Sequence, residues 1–240
     1  MEAYIFDIAL VLIAIVIIVF AAKRGFVLSL LSTVSLGASA FLSYKFTKPV
    51  SEFIYSSFLY DKIMEKVTEA VVGFSDTITD TEKLAALTEV LPSNFFKVAQ
   101  GFGFNVESAL DTIDLGQLAN DKIITAFVDN VASDVVMSVL EIVVFVVLFV
   151  ALLVVFRCVA LLFNKLIKKI SVVGKANTIL GGVLGVVKAA IAISIICLVA
   201  CPIVYAIDIP WLEDVISQSY IYQFLIENNP INNLDVRFLR

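Results

Sequence analysis

Histidine is absent from this chain, and with it go the imidazole base and every His-bearing zinc site. Charge is scarce as well: 16% of the residues are Asp, Glu, Lys or Arg, where a soluble domain carries roughly 25%. The three cysteines, Cys158, Cys197 and Cys201, all fall in apolar runs, so no disulfide framework is expected. Cys197 and Cys201 share a helix face. With no histidine and no nearby carboxylate, they read as small packing residues rather than a soft-metal site. No period-2 strand pattern occurs, and no repeat of solenoid length. No Ser/Lys or paired-Asp constellation suggests catalysis. Basic patches that could track nucleic-acid phosphates are missing outside short connections between apolar runs. These absences argue against an enzyme, a cofactor, a metal centre and a nucleic-acid partner.

What the chain has instead is apolar length. Hydrophobic residues make up 60% of it, against roughly 45–50% in soluble domains. They concentrate in four runs, at residues 3–22, 26–46, about 142–163 and about 189–207. Each approaches the roughly 20 helical residues that cross a hydrocarbon core of about 30 Å. The predicted fold is therefore all-α: a polytopic membrane protein with four transmembrane helices in two hairpins and a helical extracytoplasmic segment. The expected divisions are a first hairpin (1–46), the extracytoplasmic segment (47–134), a second hairpin with a basic, glycine-rich inner loop (135–207) and an extracytoplasmic tail (208–240).

Charge distribution sets the expected orientation. Lys23-Arg24-Gly25 joins the first two runs, and the connection 164–188 carries five lysines and no acid. Lys and Arg are retained on the cytoplasmic side, so both connections are expected there. Segment 47–134 has six lysines against fourteen acids, and 208–240 has two arginines against five acids. Both are expected outside, giving an N-out, C-out protein. The first run lacks a basic flank before it, as a retained helix would, and exceeds the usual ~7–15 residues of a signal-peptide core.

Segment 47–134 reads as helical. Phe53, Ile54, Phe58, Ile63, Val67, Val71 and Phe74 follow a helical period. Thr79-Asp80-Thr81-Glu82 is a capping-box pattern, Pro92 a stop and Gly101-Phe102-Gly103 a break. Residues 118–131 are expected to run into the third span. Its many phenylalanines favour a segment lying on the outer membrane surface over one that folds alone. In the second span, Ser29, Ser32, Ser35, Ser39 and Ser43 line one helical face, a stripe suited to close helix packing. Asp7, Lys45, Glu141 and Arg157 sit near span ends and read as anchors. Asp7 and Lys45 are expected within reach of one another.

The stretch Gly174–Lys188 contains Gly181 and Gly185, a small-xxx-small pair that admits a close helix. It is no phosphate loop, because its Gly-Lys comes first and no Ser or Thr follows the lysine. Two placements stay open: a short interfacial or re-entrant helix, or the start of the fourth span with Lys188 inside the membrane.

Together with the first hairpin, this stretch resembles the colicin V production protein family of bacterial inner-membrane proteins. The matching residues are Asp7, the turn Lys23, Arg24, Gly25, Phe26, the run Asn177, Gly181, Gly182, Gly185, Lys188, and a late Ser–Phe stretch from Ser219 to Pro230. Lys188 stands where many relatives have Arg, which keeps the charge and loses the bidentate fork. The resemblance implies a multi-pass inner-membrane protein, no catalytic residues, and candidate functional positions at Asp7, Arg24, Gly25, Phe26, Asn177, Gly181, Gly182, Gly185 and Lys188. It also implies a role in toxin production or export and in envelope integrity. The expected partners are membrane lipids and a homo-oligomer or other membrane proteins. A scaffold or accessory is the leading expectation; a small oligomeric transporter or channel lined by the serine stripe is the alternative.

Overall fold

A computed structural model describes residues 3–72, 80–101, 104–111, 113, 120–167, 174–207 and 209–228, and every element in it is a helix. The order is α1 (Ala3–Arg24), α2 (Phe26–Ile54), a π-helical turn (Tyr55–Leu59), α3 (Tyr60–Val72), α4 (Asp80–Glu89), α5 (Ser93–Gly101), α6 (Val106–Asp111), α7 (Asn120–Phe127), a second π-helical turn (Val128–Ala132), α8 (Ser133–Ile167), α9 (Lys175–Ile207), α10 (Pro210–Ser217) and α11 (Tyr220–Glu227). Four helices are long and apolar enough to cross a membrane: Tyr4–Arg24, Phe26–Val72, Lys122–Ala160 and Lys175–Val204. Their apolar side chains point outward. On α1 alone, Ile5, Ile8, Leu12, Val16, Val19 and Phe20 are exposed, a surface that water would penalise and lipid tails would not. The protein is an all-α, multi-pass membrane protein.

The chain forms two compact units. The first comprises Met1–Thr47, Phe145–Cys201 and Pro210–Asn228. Here α9 packs against α1 and α2 in opposite senses. Gly181 and Gly185 meet Gly25, Ala21 and Ile18 in descending order, so α1 runs antiparallel to α9. Phe26, Ser32 and Gly37 meet Asn177, Lys188 and Ile191 in ascending order, so α2 runs parallel to it. The serine stripe lies in this unit. Ser29, Ser39, Ser43 and Thr47 are fully buried. Ser35, Ser39, Ser43 and Thr47 each donate to the carbonyl four residues earlier, at 2.7–2.8 Å, which satisfies a hydroxyl that has no water to bond.

The second unit comprises Lys48–Val144, Pro202–Ile209 and Asn229–Arg240. It has its own apolar core. Ile63, Val67 and Val71 of α3 lie one turn apart on one face and close on Leu87, Leu91, Ile123, Phe127, Val131 and Val135. Full burial of a side chain such as Phe127 stabilises by about 1.5–3 kcal/mol. Phe95, Phe96 and Phe104 pack against this core. The segment therefore has a core of its own, the alternative to one spread flat on a membrane, while Phe53 and Phe58 remain exposed.

Two further expectations change. The helix begun at Phe26 does not stop near residue 46 but continues through Pro49 and the first π-turn to Val72. Pro49 removes one backbone donor without breaking the helix, and the π-turn with its extra residue follows from Tyr55. The helix of the fourth apolar run starts at Lys175, well before 189, so of the two placements left open the stretch takes the continuous one. The glycine-rich stretch is the first half of α9, one continuous helix of 33 residues, about 50 Å long. The helical reading of 118–131 running into the third span matches α7, the second π-turn and α8. Thr79, Phe102, Gly103 and Lys168–Lys169 lie outside the described residues.

Candidate functional site: two junctions on the first span

The first junction forms where α1 turns into α2. Gly25 is the single residue between them, and its φ is +80°, a left-handed conformation that a residue with a Cβ adopts only at a cost. Its N–H donates to the carbonyls of Ala21 and Ala22, both at 3.2 Å, closing α1. Its carbonyl accepts the N–H of Ser29 at 3.1 Å, opening α2. The Phe26 N–H, one of the orphan donors of a new helix, is taken by Asn177 Oδ1 at 2.7 Å, from 151 residues away. Asn177 therefore caps α2 from α9, and its amide fills the space a Cβ on Gly25 would need. Ser29 completes the joint by donating to the Ala21 carbonyl at 2.7 Å.

One turn further, the glycines of α9 form a seam against α1. A Cβ at Gly181 would lie 2.8 Å from the Ala21 carbonyl oxygen and 3.0 Å from the Gly25 carbonyl carbon. At Gly185 it would lie 2.8 Å from Ala21 Cβ and 2.9 Å from Ile18 Cα. Gly182 is different: its Cβ would sit 3.7 Å from Ala22 Cβ, an ordinary contact. Only Gly181 and Gly185 are required by the approach of backbone to backbone. Lys188, half-buried, reaches Ser32 Oγ at 3.1 Å. Arg24 is exposed and Phe26 half-buried.

The second junction is at the other end of α1. Asp7 Oδ1 accepts from Ser219 Oγ at 2.5 Å and from the Ile221 N–H at 3.2 Å, while Oδ2 accepts the Tyr220 N–H at 3.1 Å. Ser219 in turn accepts the Tyr222 N–H at 3.1 Å, so it is the N-cap of α11. A carboxylate on the first free N–H groups of a helix complements both the orphan donors and the helix dipole. Tyr4 stacks on Tyr220, with centroids 6.0 Å apart, beside this clasp. Asp7 is thus engaged by α11, not by Lys45, which is exposed.

Of the candidate positions, Gly25, Phe26, Asn177, Gly181, Gly185 and Lys188 with its partner Ser32 gather along the first junction and its seam. Asp7 stands apart at the second. Arg24 is 17 residues beyond Asp7 on α1, a rise of about 25 Å. Sequence placed Ser29 and Ser32 in the packing stripe and Ser219 at the head of the late Ser–Phe stretch, but gave none of them its partner across the joint or at Asp7. Ser219 ahead of Tyr-Ile-Tyr is a readable N-cap signal. Nothing local ties it to Asp7.

The family model described as colicin V production protein matches residues 6–88 and 117–230, a range that takes in both junctions. No curated protein and no solved structure gives a significant match. With most of its length covered by that match, and with the motif residues of both ends engaged with one another, the chain belongs to the colicin V production protein family.

Proposed function

We propose that this chain is a non-enzymatic scaffold or accessory in colicin V production and export and in envelope homeostasis, seated in the bacterial inner membrane. Family membership supports the role in colicin V production. The observation that carries the scaffold reading is where the motif side chains go. Asn177 and Asp7 are each committed to the backbone of another element, and the glycines are filled by neighbouring helices. That chemistry holds helices in place. The hydroxyls of Ser35, Ser39, Ser43 and Thr47 bond the preceding turn of their own helix and that of Ser29 bonds α1, which supports packing rather than a wetted path. The chain works as a homo-oligomer or with other membrane proteins, through its exposed apolar faces.

In this reading the spans form two hairpins, N-out and C-out, with the Lys23–Phe26 turn and Lys175 inside and residues 47–134 outside. Lys97, exposed on α5, tests the sidedness. In a background with the native cysteines replaced, Lys97→Cys reacts with a membrane-impermeant maleimide from the outer side. Labelling only after the inner face is opened reverses the topology. The function is tested by pairing two assays. A strain lacking the chain recovers colicin V production with the wild type and not with Gly25→Val, and the purified protein in vesicles passes no solute. Solute flux that disappears with Arg24→Gln and Lys188→Gln together would replace the scaffold with a transporter.

A further inference from the structure

The end of α1 away from Gly25 carries large aromatic side chains in the open. Trp211 on α10 and Tyr220 and Phe224 on α11 are each 63–66% exposed, and Tyr4 of α1 is 54% exposed. These rings do not sit on a loose tail. α10 packs on α1, with Val215 and Ile216 buried. Gln223 Nε2 donates to the Ser217 carbonyl at 2.9 Å, which ties α11 back to α10. Asp7 in the second turn of α1 holds Ser219 and the first N–H groups of α11, and Tyr4 stacks on Tyr220. From Tyr4 onward α1 is long and apolar enough to cross a membrane. The clasp therefore sets both short helices at the level where that span enters the bilayer.

The make-up of the outward face says what covers it. On α11 the exposed residues are Tyr220, Gln223, Phe224 and Glu227, one helical stripe in which two rings alternate with two polar groups. Hydrocarbon penalises the Gln and Glu heads, and water penalises the rings. The headgroup layer accepts both, which is why Trp and Tyr gather there. The apolar surface also continues without a break onto the lipid-facing side of α1, where Ile5 and Ile8 are exposed next to Tyr4 and one turn beyond it. Residues 208–228 contain four acids and no Lys or Arg, so attraction to anionic headgroups plays no part. We propose that α10 and α11 lie in the membrane interface, with Trp211, Tyr220 and Phe224 inserted beside Tyr4 among the headgroups and upper acyl chains. The pair is an aromatic platform that fixes the depth of α1, and the occupant of its outward face is the bilayer itself. The platform does not depend on the scaffold reading; a transporter of the same fold would carry it.

Trp211 is the single tryptophan of the sequence, so the wild-type full chain reports on itself. The test measures its fluorescence in phosphatidylcholine vesicles at low protein-to-lipid ratio. Lipids brominated near the headgroup end of their acyl chains quench it more than lipids brominated near the methyl end. The pair of values places the indole roughly 5–10 Å below the headgroup boundary, well short of the bilayer centre at ~15 Å. Phe224→Trp in a Trp211→Phe background reports the same zone from α11. Adding phosphatidylglycerol or salt leaves both depths unchanged. Strong quenching by aqueous acrylamide, with none by either lipid, puts the face in water and overturns the proposal. Quenching strongest from the methyl end puts the rings in hydrocarbon and overturns it as well. Protection from all three quenchers means that protein covers the face, and overturns it in favour of a second copy. A depth reached only with phosphatidylglycerol and lost in salt overturns the aromatic contact in favour of a charge-driven one.

Discussion

Gly185→Leu is expected to destabilise the purified chain by about 3 kcal/mol, the upper part of the range for overpacking a tight interior. Even the first carbon of the new side chain would lie 2.9 Å from Ile18 Cα and 2.8 Å from Ala21 Cβ. Neither is the tip of a flexible side chain, so relief requires α1 and α9 to part. Parting exposes the Gly181 contact as well, because both glycines face the same stretch of α1. Gly182→Ala is the internal control, since its Cβ would meet Ala22 at 3.7 Å. Thermal unfolding in detergent separates them: the Gly185 variant melts well below the wild type and the Gly182 variant beside it. Equal midpoints for the two would mean that the glycine seam is not a close backbone contact.

At the far end of α1, Asp7→Ala is expected to cost about 3 kcal/mol. Hydrogen bonds to a charged acceptor are worth roughly 1.5–3 kcal/mol each, and three donors lose their acceptor together. Water can satisfy some of them, because Tyr220 is exposed, which keeps the loss below the sum. Ser219→Ala removes both a donor to Asp7 and the cap on Tyr222. The two substitutions act on one network, so the double variant should fall short of additivity by about 1 kcal/mol or more. Additive losses in a double-mutant cycle would show that Asp7 and Ser219 do not hold each other.

How much of this was legible in the sequence differs from element to element. The spans were, because long apolar runs leave the backbone no alternative to a helix in lipid. The turn was, because two such runs separated by Lys-Arg-Gly need a residue free to take positive φ, and Gly25 takes it. The start of α9 was not. Sequence left the stretch open between a separate interfacial or re-entrant helix and the start of the fourth span, because what accommodates Asn177, Gly181 and Lys188 is α1 and α2. Tertiary contact overrides local propensity there. Periodicity placed the serines on one face but could not say what that face meets, nor that Thr47 extends it. Asp7 lies 212 residues from Ser219, and a pairing over that distance leaves no local trace. The core of the second unit was missed for a related reason: amphipathic helices that cover one another carry the same pattern as helices that cover a membrane.

The account rests on the α1–α9 seam being a fixed joint, and a disulfide across it is the most direct measurement. Gly182 offers a Cβ position 3.7 Å from Ala22 Cβ, within the roughly 3.5–4.5 Å that a disulfide spans. Ala22→Cys with Gly182→Cys, in a background with Cys158, Cys197 and Cys201 replaced, should crosslink nearly completely in native membranes under mild oxidation. The locked protein should then support colicin V production as well as its reduced form does. A pair that fails to crosslink, or a locked protein that is inactive until reductant reopens the seam, would contradict a static joint and make its opening part of the function.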